Sequence, residues 1–179
     1  LAGLPVFSKL RFIRCSVVFE CAEGSGACEA CSAGTHQPLE YASACLPCKG
    51  GAWCSEGASA ALLCNAGTFG NSTKLASAFE CAECPAGSAC PTGSVVPAEC
   101  EAGSVARRRS AVCSRCESGS YASDLPGRPE CIQRPAGSAC QAGSVVPTEC
   151  EPGSVAAAGS AVCSRCLPGT FQRLAGQEQ

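Results

Sequence analysis

The chain has 179 residues, of which 19 are cysteine, and a formal net charge of −2. This weak negative charge argues against nucleic acid or an anionic membrane as the main partner. Hydrophobic residues make up 46% of the chain, but they are mostly Ala and Cys, with one Trp, two Tyr, six Phe and no Met. Such small side chains bury too little apolar area to offset the cost of ordering the backbone, which excludes an ordinary globular core.

The cysteine content is typical of a disulfide scaffold, and disulfides persist in oxidising compartments. In the chain-entropy model, a bridge that closes a loop of ~15 residues stabilises a fold by about 3 kcal/mol. We therefore predict a small disulfide-rich protein that is secreted or at the cell surface, with an oxidising lumen as the alternative. No apolar run approaches the ~18 residues of a membrane span. The chain begins at Leu1 without a signal-like segment, which indicates a processed chain or part of a longer one.

Residues 1–27 differ from the rest of the chain. Apolar residues such as Val6, Leu10 and Phe19 follow the early Pro5 in an alternating pattern, the strongest strand signal in the sequence. We interpret this segment as a strand or linker that continues from an upstream domain, or as a strand that docks on a partner.

From residue 28 onward, cysteines recur as C-x2-C pairs. These are Cys28/Cys31, Cys45/Cys48, Cys81/Cys84, Cys113/Cys116 and Cys163/Cys166, with a sixth at Cys131 whose partner position is Arg134. A glycine three residues after a cysteine permits a positive-φ turn, and Ser or Thr followed by an aromatic residue or Val then starts a short strand. The second residue after this glycine, here named the post-turn position, is His36, Phe69, Val105, Tyr121, Val155 and Phe171.

The segment 81–130 is repeated as 131–179 at an offset of 50 residues, with about two thirds of the best-aligned positions identical. Self-similarity at a fixed period is the mark of a repeat array. We therefore expect an N-terminal segment (1–27), a divergent cysteine-rich region (28–80) and two near copies. The predicted fold is an elongated tandem array of cysteine-rich modules with short β-hairpins and little regular secondary structure.

Two families resemble these modules. The sequences CESGSYASDLPGRPEC and CNAGTFGNSTKLASAFEC are similar to the first loop of tumour necrosis factor receptor-like cysteine-rich modules, and CPAGSACPTGSVVPAECEAGS resembles the ephrin-receptor-like repeats. The resemblance covers residues 28–171 and depends on Cys, Gly and Pro spacing. It implies an elongated, extracellular, non-catalytic rod.

Local pairing would close three loops, Cys31–Cys45, Cys64–Cys81 and Cys116–Cys131. The other cysteines of each unit have two options. Receptor-like crossed pairing would join Cys84 with Cys100 and Cys90 with Cys113, whereas nearest-neighbour pairing would join Cys84 with Cys90 and Cys100 with Cys113. The sequence does not choose between them.

Arg134 stands where the first copy has Cys84, so the second copy must contain an unpaired cysteine. This is Cys150 under crossed pairing and Cys140 under nearest-neighbour pairing, and it is either an intermolecular bridge or a buried inert thiol. We also expect Cys166 to pair beyond Gln179 if the array continues.

Cys28, Cys31, Cys45 and Cys48 have a spacing similar to that of a zinc ribbon, in which such thiolates share one Zn²⁺. Lone cysteines would be left over and the pairs are evenly spread, so we predict no metal and no cofactor. A redox C-x2-C lacks the βαβ context that lowers a thiol pKa.

The sequence offers few residues that could act in catalysis. His36 is the only histidine and holds a post-turn position, where Phe69 and Tyr121 stand in other repeats, so we expect it to be structural. We predict that the chain is not an enzyme.

Three features could contact a partner or carry a modification. Arg107, Arg108 and Arg109 form the one basic cluster, which we interpret as a solvated loop, an acidic-partner contact or a proteolytic site. Trp53 is expected to stack on a bridge, with partner anchoring as the alternative. Asn71 begins an N-x-[S/T] sequon and is a predicted glycosylation site.

Two functions follow from these observations. The first is a structural rod that assembles with other chains or with itself in a filament, surface coat or appendage. The second is a receptor-like protein-binding module, and a subunit of a lumenal complex is a further alternative.

Overall fold

The computed structural model describes residues 19–20, 29–40, 42–122, 129–173 and 175–176. The alternating apolar pattern of the first segment falls outside these residues, except for Phe19–Glu20, which form strand β1.

The described part of the chain is built from two-residue strands that pair, each with the next, as antiparallel hairpins. It contains one 3₁₀ turn, Ala78–Glu80, and no α-helix. The nine pairs are β1 (Phe19–Glu20) with β2 (Glu29–Ala30), β3 (Thr35–His36) with β4 (Leu46–Pro47), β5 (Ala52–Trp53) with β6 (Leu62–Leu63), β7 (Thr68–Phe69) with β8 (Ala82–Glu83), β9 (Ser88–Ala89) with β10 (Ala98–Glu99), β11 (Ser104–Val105) with β12 (Ser114–Arg115), β13 (Ser120–Tyr121) with β14 (Ile132–Gln133), β15 (Ser138–Ala139) with β16 (Thr148–Glu149), and β17 (Ser154–Val155) with β18 (Ser164–Arg165).

From β3 onward the hairpins form a series of equivalent units, which we call rungs. Each rung opens with a residue three positions before a turn glycine, and the glycine leads directly into the first strand. Rungs 1 to 8 open at Cys31, Cys48, Cys64, Cys84, Cys100, Cys116, Arg134 and Cys150. Three rungs therefore fit within each step of 50 residues between the two copies.

Backbone hydrogen bonds join each rung to the next. The amide of Cys64, which opens rung 3, donates to the carbonyl of the rung 2 turn glycine, Gly51 (2.9 Å). The amide of Gly51 in turn donates to the carbonyl of Gly70 in rung 3 (2.8 Å). The first type of bond recurs with Cys48 to Gly34, Cys84 to Gly67, Cys100 to Gly87, Cys116 to Gly103, Arg134 to Gly119, Cys150 to Gly137 and Cys166 to Gly153. Because each unit bonds to its neighbour in the same way, the array extends in one direction.

The turn glycine of rung 6, Gly119, is required both by its conformation and by a close contact. Gly119 has φ of 84°, and a Cβ added there would overlap the carbonyl oxygen of Gly159, two rungs ahead. No side chain fits both conditions.

From rung 2 onward, each rung whose loop the structure describes has a second positive-φ residue, which lies in that loop. Its amide donates to the carbonyl of the residue that opens the preceding rung, as Gly93 does to Cys64 (2.9 Å). Most of these positions hold glycine, but Lys74 (φ 63°) and Arg109 (φ 65°) hold two of them.

Cysteine fills the interior in place of large apolar side chains. Most of the fully buried side chains are cysteines, and Cys64, Leu75 and Cys81 form a small cluster against which Trp53 packs. The predicted fold class is confirmed: the protein is a small disulfide-rich fold of tandem short hairpins.

Candidate functional site

Seven disulfides lie within the described residues. Three close the loops expected from local pairing, Cys31–Cys45, Cys64–Cys81 and Cys116–Cys131. The other four are Cys48–Cys54, Cys84–Cys90, Cys100–Cys113 and Cys150–Cys163. The structure thus has nearest-neighbour rather than crossed pairing.

The bridges are of two kinds. Long bridges join cysteines 13 to 17 residues apart and span the loop of a rung. Short bridges, Cys48–Cys54 and Cys84–Cys90, join cysteines 6 residues apart around the turn of a rung. Rung 7 has the positions of a short bridge at Arg134 and Cys140, but no bridge forms because the first of them is arginine.

Arg134 is the largest fully buried side chain in the described part of the protein, at 1% exposure. Its guanidinium donates hydrogen bonds to the carbonyl of Pro135 and to the carbonyl of Ala157 in rung 8 (2.8 Å). Its Nε is buried without a hydrogen-bond partner. Arg134 therefore ties rung 7 to rung 8 by polar contacts at the position where other rungs have a short bridge.

Cys140 is a free thiol at 1% exposure. Burial raises the pKa of this thiol, and the positive charge of Arg134 opposes that shift in part. A neutral, buried thiol is a poor nucleophile. Cys150, the other candidate for the unpaired cysteine, is bridged to Cys163.

Cys166 is also free among the described residues, and it is half-buried. It opens the segment after rung 8 and retains the backbone hydrogen bond to Gly153 (2.9 Å). Cys28, named in the zinc-ribbon hypothesis, lies outside the described residues. Of the same hypothesis, Cys31 is bridged to Cys45 and Cys48 is bridged to Cys54, so these cysteines do not form the zinc-ribbon ligand set in the oxidised protein.

The basic cluster is exposed but paired within the chain. Arg107 lies 2.8 Å from a carboxylate oxygen of Glu130, and Arg108 lies 2.7 Å from one of Glu83. Arg109 reaches the other oxygen of Glu83 at 3.7 Å. Each arginine side chain keeps at least 65% of its surface exposed, so the cluster is a loop surface whose charges are partly balanced.

Trp53 is half-buried in β5 and packs on the cluster that includes the Cys64–Cys81 bridge. It is the second residue after Gly51 and so holds the post-turn position of rung 2. This equivalence is hidden in the sequence because Ala52 stands where the other rungs have Ser or Thr, although Gly51, three residues after Cys48, is a signal of it.

Asn71 is exposed next to the end of β7, in the loop of rung 3. The Ser72 hydroxyl donates to its Oδ1 (3.3 Å). The side chain that would carry a glycan thus faces solvent.

His36 and the Cys48–Cys54 bridge form the densest group of metal-ligating side chains in the described residues. The ligand atoms of these three residues all lie within 4.8 Å of one another. The Nδ1 of His36 is 3.9 Å from the Sγ of Cys48. The post-turn position of rung 1 therefore faces the short bridge of rung 2, a contact that sequence spacing did not indicate.

No described residue belongs to a helix with the length and hydropathy of a membrane span. Comparison with family models finds no match to this chain. Comparison with curated protein sequences likewise finds no match.

Proposed function

We propose that this chain is part of a non-catalytic structural rod that assembles with copies of itself or with other chains. Its bridges indicate an oxidising compartment, and we place the protein outside the cell, secreted or at the cell surface. A filament, surface coat or appendage is the kind of assembly this fold suits.

The observation that carries the proposal is the repetition of one backbone junction along the chain. Turn glycines such as Gly51 and opening residues such as Cys64 use the same donor and acceptor positions at successive junctions. A stack of this kind depends on nearest-neighbour contacts, so its length can grow without a new type of interface. Repeat units built in this way favour a spacer or fibre.

The bridges support the same conclusion. Each closes a loop within one rung, so a rung stays closed independently of distant parts of the chain. Local bridges stabilise each unit where the core is too small to do so.

A receptor-like binding module is the second candidate, favoured by the exposure of the arginine cluster. Arg107, Arg108 and Arg109 remain mostly exposed and could contact an acidic partner. However, Glu83 and Glu130 already balance part of their charge, and Trp53 packs against its own chain. These contacts weaken the two features on which receptor-like binding would depend. A structural subunit of a lumenal complex is a further alternative, in which the same rod would lie inside an oxidising lumen.

Sedimentation velocity over a wide concentration range tests the proposal. The sample should be treated with iodoacetamide so that Cys166 cannot form random cross-links. We expect reversible association that increases with concentration and that is retained when all three arginines are replaced by alanine. A monomer at every concentration would overturn self-assembly, and binding to an acidic partner that is lost in the arginine variant would favour the receptor-like module.

A further inference from the structure

The contact between His36 and the short bridge of rung 2 has the composition of a metal site. Imidazole nitrogen and cysteine sulfur are the ligands that Zn²⁺ prefers. Cys48 and Cys54 are fully buried and His36 is half-buried, so the three groups meet where they are largely shielded from solvent.

The backbone holds all three residues in place. His36 pairs with Leu46 across its hairpin and forms a bridge with Ala58 in rung 2. The amide of Cys48 donates to the carbonyl of Gly34 (2.9 Å), and that of Cys54 donates to the carbonyl of Leu75 (2.9 Å). Because these bonds do not involve the side chains, the backbone keeps its position when the bridge opens. Rotation about the Cα–Cβ bonds then moves the two sulfurs apart to the roughly 3.8 Å that two ligands of one tetrahedral Zn²⁺ require.

The other short-bridge positions lack this composition. The post-turn residue before the Cys84–Cys90 bridge is Phe69, and the one before Arg134 and Cys140 is Tyr121. Neither provides a ligand comparable to an imidazole. The Cys84–Cys90 bridge is therefore an internal control, because it is a short bridge without a neighbouring histidine.

We propose that the reduced form of Cys48 and Cys54 binds one Zn²⁺ together with His36. In a tetrahedral Zn²⁺ site, the bond lengths of Zn–S and Zn–N place sulfur and nitrogen about 3.6 Å apart. The existing separation of 3.9 Å between His36 Nδ1 and Cys48 Sγ is close to this value. Three protein ligands leave a fourth position open for water or a small anion.

The site is controlled by the redox state of the bridge. Two molecules of a thiol reductant such as glutathione open the Cys48–Cys54 bridge, which yields one disulfide of the reductant and two cysteine thiols. Zn²⁺ then binds the two thiolates, and two protons are released. In the oxidised protein the same sulfurs close rung 2 covalently, so metal replaces the bridge when the surroundings become reducing. This inference does not depend on the proposed rod assembly.

The test uses the whole oxidised chain in a series of glutathione buffers, with and without Zn²⁺. Native mass spectrometry counts bound zinc, and alkylation followed by peptide mapping shows which cysteines are protected. We expect one Zn²⁺ to bind as Cys48 and Cys54 are reduced, with both then protected from alkylation. Cys84 and Cys90 should gain no protection from Zn²⁺ at any glutathione concentration.

The matched variant is His36→Phe, which places at rung 1 the residue that rung 3 already has at Phe69. It should keep the same disulfides and lower the affinity of the reduced protein for Zn²⁺ by at least about tenfold, since even indirect partners of a metal site contribute that much. With Co²⁺ as the probe, the wild type should show sulfur-to-metal charge-transfer absorption that is weaker or shifted in the variant.

Equal Zn²⁺ affinity of the wild type and His36→Phe would overturn the proposal. So would equal protection of Cys84 and Cys90, because the zinc would then bind any reduced pair. Absence of bound Zn²⁺ in the reduced wild type, with Cys48 and Cys54 shown to be free thiols, would also overturn it.

Discussion

Arg134 occupies the position from which Cys84 bridges Cys90 one copy earlier, and Cys140 remains beside it as a buried thiol. Rung 7 nevertheless keeps the backbone hydrogen bonds of the other rungs. The amide of Arg134 makes the junction bond to Gly119 (3.1 Å), as a cysteine does in other rungs, while its side chain bonds to the carbonyl of Ala157 (2.8 Å). Polar contacts of a long side chain thus replace a covalent bridge.

Replacing Arg134 with cysteine should restore the bridge to Cys140. The new loop is as short as that of Cys84–Cys90, so the chain-entropy model predicts a gain of about 2 kcal/mol in the free energy of unfolding. Intact mass should show one more disulfide than in the wild type, and thermal unfolding should occur at a higher temperature. Arg134→Ser is the control, and it should be less stable than the wild type. A free Cys140 in Arg134→Cys would contradict this view of the rung.

The thiol of Cys140 should make stability depend on alkaline pH. Burial holds its pKa above the ordinary value, so the folded protein favours the neutral thiol. That contribution is fully present below the unfolded-state pKa of about 8.5 and is lost as pH rises through the folded-state pKa. Chemical denaturation at several alkaline pH values should show the stability difference between the wild type and Cys140→Ala shrinking as pH rises. A difference that grows with pH would contradict the sign of the shift.

Alkylation rates offer a separate check on Cys140 and Cys166, the two cysteines that are free in the described part of the chain. Cys166 is half-buried, whereas Cys140 is fully buried and has a raised pKa. Iodoacetamide should therefore modify Cys166 first, and Cys140 only when the protein opens. Peptide mapping over time gives both rates, and faster labelling of Cys140 would contradict its burial.

The positive-φ glycines should tolerate alanine to different degrees. Gly57 and Gly119 both have positive φ, but a Cβ at Gly57 meets nothing within 4 Å, whereas one at Gly119 overlaps the carbonyl of Gly159. Gly57→Ala should cost about 1 kcal/mol, the conformational term alone. Gly119→Ala should cost about 2 to 4 kcal/mol, because the overlap adds to that term. Urea denaturation measures both, and equal costs would contradict the close approach of Gly159 in rung 8 to Gly119 in rung 6.

The ion pairs of the arginine cluster should contribute little to stability. All three arginines are largely exposed, and exposed pairs are worth about 0 to 1 kcal/mol. Replacing Arg107, Arg108 and Arg109 together with alanine should therefore change the free energy of unfolding by less than about 1 kcal/mol at moderate salt. A much larger loss would mean that the cluster holds the rungs together.

The sequence predicted the fold class and the three loops closed by local bridges, because cysteine spacing and turn glycines are local signals. The series of glycines three residues after a cysteine also marked the first strand of most rungs. The period of a single rung is less evident in the sequence than the 50-residue repeat, because the two similar copies each contain three rungs. Ala52 in place of Ser or Thr hid the rung that contains Trp53.

The remaining features depend on three-dimensional geometry, within a rung or between rungs, which a sequence pattern does not specify. The choice between Cys84–Cys90 and Cys84–Cys100 depends on whether the turn brings cysteines six residues apart within bonding reach. The approach of His36 to the next rung depends on how one hairpin stacks on another. The conformation of Lys74 and Arg109 was likewise hidden, because residues with side chains rarely adopt positive φ.

Non-reducing peptide mapping of both copies tests most directly the claim that disulfides close each rung locally and that each rung stacks on the next. Digestion of the oxidised chain should yield peptides that link Cys84 to Cys90 and Cys100 to Cys113, with Cys140 found as a free thiol. Peptides that link Cys84 to Cys100 and Cys90 to Cys113, with Cys150 free, would contradict the pairing of cysteines within each rung. They would also contradict every inference that depends on the geometry of the rungs.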